Sequence, residues 1–346
     1  MLDKVRTKIE QQLKRFIRKI DQTYSLSKIS SLLFRSIKEF MLREGKRIRP
    51  LLFCVGYLGF AKKTAPNLYT SALSWELMHD FLLVHDDIID KSDIRRGKPS
   101  MHNMLNGYLK KYKNLKFNGQ DLSIVVGDVM YAIAIHSFLS IKEDSSRKEK
   151  ALKKFIEAVI YTGSGEFIEL LYAKEDLAKI KKEQIYKIYD FKTSYYSFSS
   201  PLSTGAILAG ASQREVDRLF KFGIYLGRSF QIQDDILGLF SEEKIIGKSI
   251  LSDLKEAKKT LLIWYAYNNS TLKDKLTMRK IFKKAEIRKS DLLKIRRVVA
   301  KCGALDYAKS EIARFMKAAE NIIASSGIRP QYQKFLISYS GEILKL

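Results

Sequence analysis

A chain of 346 residues, 46% of them apolar, can bury a large core, and 63 Lys and Arg against 38 Asp and Glu leave it a net charge of +25. That balance suits an anionic partner, whether a polyphosphate, a nucleic acid or an acidic lipid surface. No zinc-finger spacing, RNP-like aromatic run or basic zipper is present, so nucleic acid is not an expected partner. The two cysteines, Cys54 and Cys302, show neither disulfide-framework nor metal-finger spacing, which fits a reducing cytoplasm.

Only 5 Pro and 18 Gly occur, and apolar residues recur mostly three or four apart, so the chain reads as all-α, one domain over 1–346. The N-terminal MLDKVRTKIEQQLKRFIRKI alternates charge with isolated Leu, Val and Ile, the pattern of an amphipathic helix and not of a signal peptide. Loops are expected over 62–67, 91–119, 241–251 and 268–273. The apolar passage Ser123 to Leu139 is broken by Gly127, Asp128 and His136, short of the roughly 20 uncharged residues of a membrane span. Late in the chain, Leu305, Ala308, Ile312, Phe315, Ala319 and Ile322 mark a core-facing helix that stops at Gly327 and Pro330.

The segment Trp75 to Asp90, WELMHDFLLVHDDIID, is helical in pattern and ends in three aspartates. At about 100° per residue Asp86 and Asp90 share one face, with Asp87 beside them. Three carboxylates so close repel one another unless a cation lies between them, and Mg²⁺ is the natural one. Directly after them SDIRRGKP supplies Arg95 and Arg96, whose guanidinium forks suit diphosphate oxygens. A second helical segment, FQIQDDILGLF, carries Asp234 and Asp235. Two such helices facing each other could hold several Mg²⁺ ions around one diphosphate.

With these go GKRIRP (Gly45 to Pro50), KTS (Lys192 to Ser194), PLSTGA (Pro201 to Ala206), and GKS followed by SDLKEAKKT (Gly247 to Thr260). In order and spacing from about Gly45 to Thr260 the chain resembles the trans-isoprenyl diphosphate synthase family. The resemblance implies an orthogonal helical bundle around a central cavity, working as a homodimer; the cytoplasm is the expected location, and the positive charge would allow loose association with a membrane surface. It implies Mg²⁺, three ions per site with substrate bound, and condensation of isopentenyl diphosphate with dimethylallyl, geranyl or farnesyl diphosphate. Lys46, Arg49, His79 and Arg96 would hold isopentenyl diphosphate. Arg95, Lys192, Lys248 and Lys258 would hold the allylic diphosphate, with Asp86, Asp87, Asp90 and Asp234 as metal ligands and Asp235 behind them. Gln231, Thr193 and Tyr196 are the candidates to face the allylic cation, while His85 is read as structural.

Phe81 lies five residues before Asp86, about 7.5 Å along the helix. With Leu82 and Met78 it would wall an apolar tunnel for the growing chain. An aromatic there, with no insertion between the aspartates, is similar to archaeal-type geranylgeranyl diphosphate synthases; farnesyl or longer products are the alternatives. The chain departs from the family pattern at Gly238, where a third carboxylate is frequent, at Ala257, where glycine is expected, and at Ser249, where proline is frequent. Glu166 stands where glutamine is usual. Terpene cyclases lack the GKRIRP site, and non-catalytic subunits of heteromeric synthases usually lose aspartates that this chain keeps.

Overall fold

The computed structural model describes residues 2–241 and 250–344. Among the described residues the elements are helical, apart from one two-stranded hairpin. Its contacts fall into two compact units, 1–153 with 204–211, and 154–203 with 212–346.

The first unit opens with α1 (Leu2–Tyr24), whose Ile9, Leu13, Phe16, Ile17 and Ile20 are all buried, the face expected of the amphipathic helix. After α2 (Leu26–Ile29) and α3 (Ser31–Met41) come α4 (Ile48–Phe60) and α5 (Leu68–Ile89). The last is the central helix, packed on α1, α4 and α7 (Gly119–Leu139), and Trp75, Leu77 and Met78 on it are fully buried. α7 is long and apolar enough to cross a membrane, with a mean hydropathy of 1.8. It also starts with a capping box between Asn118 and Asp121 and buries Val126, Met130 and Phe138 inside the unit.

The stretch 91–119, expected to be loop, holds more than that. Ile94–Arg95 (β1) pairs antiparallel with Lys98–Pro99 (β2), and Met101–Leu109 is a helix, α6. α6 buries Met101, Leu105 and Leu109 at four-residue intervals; its Asn and Gly residues mask that rhythm. The glycine of PLSTGA has a packing reason, because a Cβ at Gly205 would collide with the Phe53 carbonyl oxygen of α4.

In the second unit, α8 (Ser145–Ala173) supplies its residues from Lys154 onward. α9 (Lys182–Tyr189) then runs into a π-helical stretch, Asp190–Ser199. α10 (Ser200–Leu208) follows, its residues from Thr204 onward belonging to the first unit, then the 28-residue α11 (Gln213–Phe240). α11 packs on the π-helical stretch and on the helix Ala304–Ala324. Gly223 and Gly227 let it approach Ser199 and Ser194. On Ala304–Ala324 the expected Ala308, Phe315 and Ala319 are buried, whereas Leu305, Ile312 and Ile322 are only partly so and their neighbours Ala304, Glu311 and Ile323 are buried instead.

Candidate active site

The first unit brings the acidic end of α5 and the basic segments together. Asp86 and Asp87 occupy its last turn and Asp90 is its C-cap, with the Asp90 N–H donating to the Asp86 carbonyl at 2.8 Å. The chain reverses through Lys91, at φ 52°, and returns as the β1–β2 hairpin. Its two turn residues, Arg96 and Gly97, both have positive φ, 54° and 71°, as a tight two-residue hairpin requires. The arginine therefore carries backbone strain that a glycine would not. Just past the end of α3, Arg43 fixes this turn by donating Nη1 to the Arg95 carbonyl at 3.2 Å.

Adjacent on this hairpin, the two arginines serve different parts of α5. Arg95 Nε donates to Asp87 Oδ1 at 2.8 Å, and its Nη2 lies 3.2 Å from Asp86 Oδ2. Asp87 is fully buried and its Oδ2 accepts no hydrogen bond. Burial, with Asp86 and Asp90 alongside, outweighs Arg95 and pushes this carboxyl up to about 6. Hard oxygen donors with a buried, unsatisfied carboxylate oxygen among them fit a Mg²⁺ site.

Arg96 instead reaches back along the helix. Its Nη2 is 3.2 Å from Glu76 Oε1 and its Nη1 is 3.2 Å from Asp80 Oδ1. Glu76 also accepts from Arg47 Nη1 at 2.6 Å, and Arg47 in turn holds Glu10 and the Met41 and Arg43 carbonyls. Despite burial, Arg47 and Arg96 hold the Glu76 carboxyl below its usual range. His79 is held well below its ordinary value, by burial first and then by Arg49 and Arg96, so it is neutral at pH 7. A Cβ at Gly45 would lie 3.5 Å from the Arg96 guanidinium carbon, so the GKRIRP segment meets the hairpin. Lys46 is exposed there and Arg49 half-buried, whereas Arg47 between them is an internal post.

Phe81 stacks on Tyr131 of α7 at 5.1 Å and meets His85 edge-on at 4.8 Å. Leu82 is half-buried, but Met78 is fully enclosed and forms no wall of an open channel. His85 lies against Gly127, where a Cβ would collide with its ring, which supports its structural role.

In the second unit α11 carries Asp234 and Asp235. Asp235 is buried and accepts from the Tyr189 hydroxyl and from Gln231 Nε2 at 2.9 Å, while Thr193 Oγ1 donates to Gln231 Oε1 at 2.6 Å. Burial drives the Asp235 carboxyl well above its usual range, against its hydrogen bonds. The space left by Gly238 is taken by Asp253, whose Oδ2 a Cβ at 238 would strike. Lys192 sits on the π-helical stretch between Glu166 Oε2 at 2.6 Å and Glu169 Oε2 at 2.5 Å, which gives Glu166 a role as a partner of that lysine. Lys258 pairs with Glu256 at 2.6 Å. Lys248 and Ser249 lie outside the described residues.

Ala257, where glycine was expected, has φ 53°. Ala257→Gly relieves a left-handed conformation at the cost of a more flexible unfolded chain, and is expected to stabilise the protein by about 0.5–1 kcal/mol. A urea midpoint unchanged or lowered would contradict this.

Residues 30–299 match the polyprenyl synthetase family. The chain belongs to that family. It is 31% identical over 302 residues to a geranylgeranyl diphosphate synthase of Sulfolobus acidocaldarius, covering 86% of both proteins. It is 30% identical to a geranylfarnesyl diphosphate synthase of Aeropyrum pernix, covering 81% of this chain and 83% of that one. The fold is shared with a geranylgeranyl pyrophosphate synthase of Corynebacterium glutamicum, solved with isoprenyl diphosphate and magnesium, at TM-score 0.90 and 24% identity over 100% of this chain and 99% of that one. The chain is thus a prenyltransferase of an all-α, metal-dependent family, which joins isopentenyl diphosphate to an allylic diphosphate.

Arg47, Glu76, Asp80, Tyr131, Glu169, Tyr189 and Asp253 enter these contacts unexpectedly. Of these only Glu76 and Asp80 left a signal, two acids four apart on an otherwise apolar helix.

Proposed function

We propose that the two units work as one synthase domain that extends an allylic primer to geranylgeranyl diphosphate. The observation that carries this is the hairpin, whose neighbouring arginines address two separate acid sets of α5. One level suits the diphosphate of isopentenyl diphosphate, through Lys46, Arg49, neutral His79 and Arg96. The other suits the allylic diphosphate, through Arg95; Lys192, Lys248 and Lys258 are the further cations assigned to it.

Asp86, Asp87, Asp90 and Asp234 would hold Mg²⁺, three ions per site. Bound there, the metal supplies charge that lets the diphosphate depart. Arg95 and the lysines stabilise the same developing charge. The allylic carbon–oxygen bond breaks, the isopentenyl double bond attacks the resulting cation, and a proton leaves with the diphosphate. Gln231 presents its amide with a fixed orientation, because Thr193 and Asp235 bind its two ends.

Relatives named for different products are almost equally similar, so overall identity does not choose the product length. Phe81 favours twenty carbons. Phe81→Ala is expected to lengthen the products, with Tyr131 stacked beneath it limiting the gain; an unchanged distribution would remove Phe81 as the stop. Exposed Ile124 and Val125 of α7, and Ile160, Phe167 and Leu170 of α8, support a homodimer. A cytoplasmic location, with loose contact to a membrane surface through its positive charge, fits the composition.

The reading is tested by incubating the protein with Mg²⁺, radiolabelled isopentenyl diphosphate and, in turn, dimethylallyl, geranyl and farnesyl diphosphate. A twenty-carbon product is expected, whereas fifteen carbons or more than twenty would select the alternatives. No incorporation with any primer would sink it.

A further inference from the structure

Asp80 is fully buried on α5, one turn beyond Glu76. Neither of its oxygens accepts a hydrogen bond of good geometry, and its ion-pair partner is Arg96, 3.2 Å away. The other arm of Arg96 rests on Glu76, which is already held at 2.6 Å by Arg47. Glu76 and Glu10 together answer Arg47, so Asp80 is the carboxylate left to balance Arg96. The groups around it are known on each side. α5 itself brings Glu76 and His79; the start of α4 brings Arg47 and Arg49; the hairpin brings Arg96. α1 adds Glu10 through Arg47, while Glu39 of α3 and Arg43 just after that helix stand behind the hairpin. α7 presents Asp128 to His85, further along α5.

A diphosphate arriving at Arg96 would bring more negative charge beside this enclosed carboxylate, which has no hydrogen bond to soften it. An unpaired buried charge is expensive, and taking a proton is the cheapest relief. Resting on the reading of Arg96 as a diphosphate contact, we propose that Asp80 is a positioning residue that trades its charge with isopentenyl diphosphate. In the absence of substrate its carboxylate steadies the Arg96 guanidinium in the strained turn. When the diphosphate binds, the Asp80 carboxylate takes one proton from solvent, and the substrate replaces it as counter-charge to the arginine.

The environment of Asp80 suits this exchange. Burial lifts its carboxyl to about 7 against the pull of Arg96, so a modest added negative charge decides its state. Above pH 7 the group starts ionised and binding must take up a proton. Affinity for isopentenyl diphosphate should therefore fall as pH rises, by up to about tenfold per unit. Below pH 7 the proton is already in place and the dependence fades. Phosphate groups binding to cations tend to lose protons, so uptake at Asp80 has the opposite sign to the substrate's own titration.

The test is calorimetric titration of isopentenyl diphosphate into the metal-free protein at pH 8, in buffers of different ionisation enthalpy. Wild type should take up protons on binding, and Asp80→Asn should not, while binding at pH 6 within a few-fold of wild type. Absence of uptake in wild type overturns the proposal without any variant. Uptake unchanged in a folded Asp80→Asn overturns it equally. Arg96→Ala separates the two layers: if it binds isopentenyl diphosphate as tightly as wild type, the reading of Arg96 itself is wrong. If it loses binding while the wild type shows no uptake, only the role of Asp80 fails.

Discussion

Asp86→Ala is expected to lower kcat by about 10³-fold, and to leave the folded state as stable as before or slightly more so. The two halves of this result have one cause. Asp86, Asp87 and Asp90 crowd three carboxylates into the end of α5, and Arg95 makes its shorter contact with Asp87 and its longer one, 3.2 Å, with Asp86. The Asp86 side chain is a quarter exposed, so its share of that ion pair contributes no more than about 1 kcal/mol. Its removal relieves repulsion among the three carboxylates that Arg95 offsets only in part. Catalysis loses a ligand for the charge that develops on the leaving diphosphate, about 4 kcal/mol for a thousandfold. Steady-state kcat with both substrates saturating, and urea midpoints on the same preparation, read the two sides separately. A kcat within tenfold of wild type would remove Asp86 from the site, and a large fall in midpoint would make it structural. Asp87→Asn should differ by losing stability as well, because Asp87 is fully buried and receives Arg95 Nε directly.

The acid cluster, the following arginines and the helical class were legible because each leaves a local signature. Carboxylates four apart on an apolar helix, adjacent guanidiniums and a three/four rhythm all need only a few neighbouring residues. What stayed hidden depends on distant partners. Arg47 sits in a basic string and reads as surface; it becomes an internal post only through Glu76, 29 residues away, and Glu10, 37 away. Asp253 reads as a polar loop residue until Gly238 is seen to leave the space it occupies. The hairpin at Arg96 was missed because a positive φ at arginine contradicts local preference, and tertiary pairing overrides it. The π-helical stretch that carries Lys192 and Thr193 has no compositional mark at all.

Glu76→Ala is expected to cost about 3–5 kcal/mol of stability, a large part of what a folded protein has. Glu76 is the shared acceptor of two guanidiniums, Arg47 at 2.6 Å and Arg96 at 3.2 Å, and is itself almost wholly enclosed. Its loss leaves Arg47, equally enclosed, with Glu10 and two backbone carbonyls, and leaves Arg96 with Asp80 as its carboxylate partner. A buried charge stripped of its partner costs far more than the pair contributed. Glu76→Gln keeps an acceptor and the volume, and should lose clearly less. Glu10→Ala gives the internal control, since Glu10 binds the same Arg47 at 2.7 Å but is 39% exposed, and its loss should cost no more than about 1 kcal/mol. Two compact units need not unfold together, so the quantity to compare is the earliest transition in urea. Equal losses for Glu76→Ala and Glu10→Ala would mean that Arg47 is held by the sum of its contacts. The predicted several-fold gap would place the burden on Glu76, and would explain why a helix otherwise built of apolar residues keeps an acid where Trp75, Leu77 and Met78 surround it.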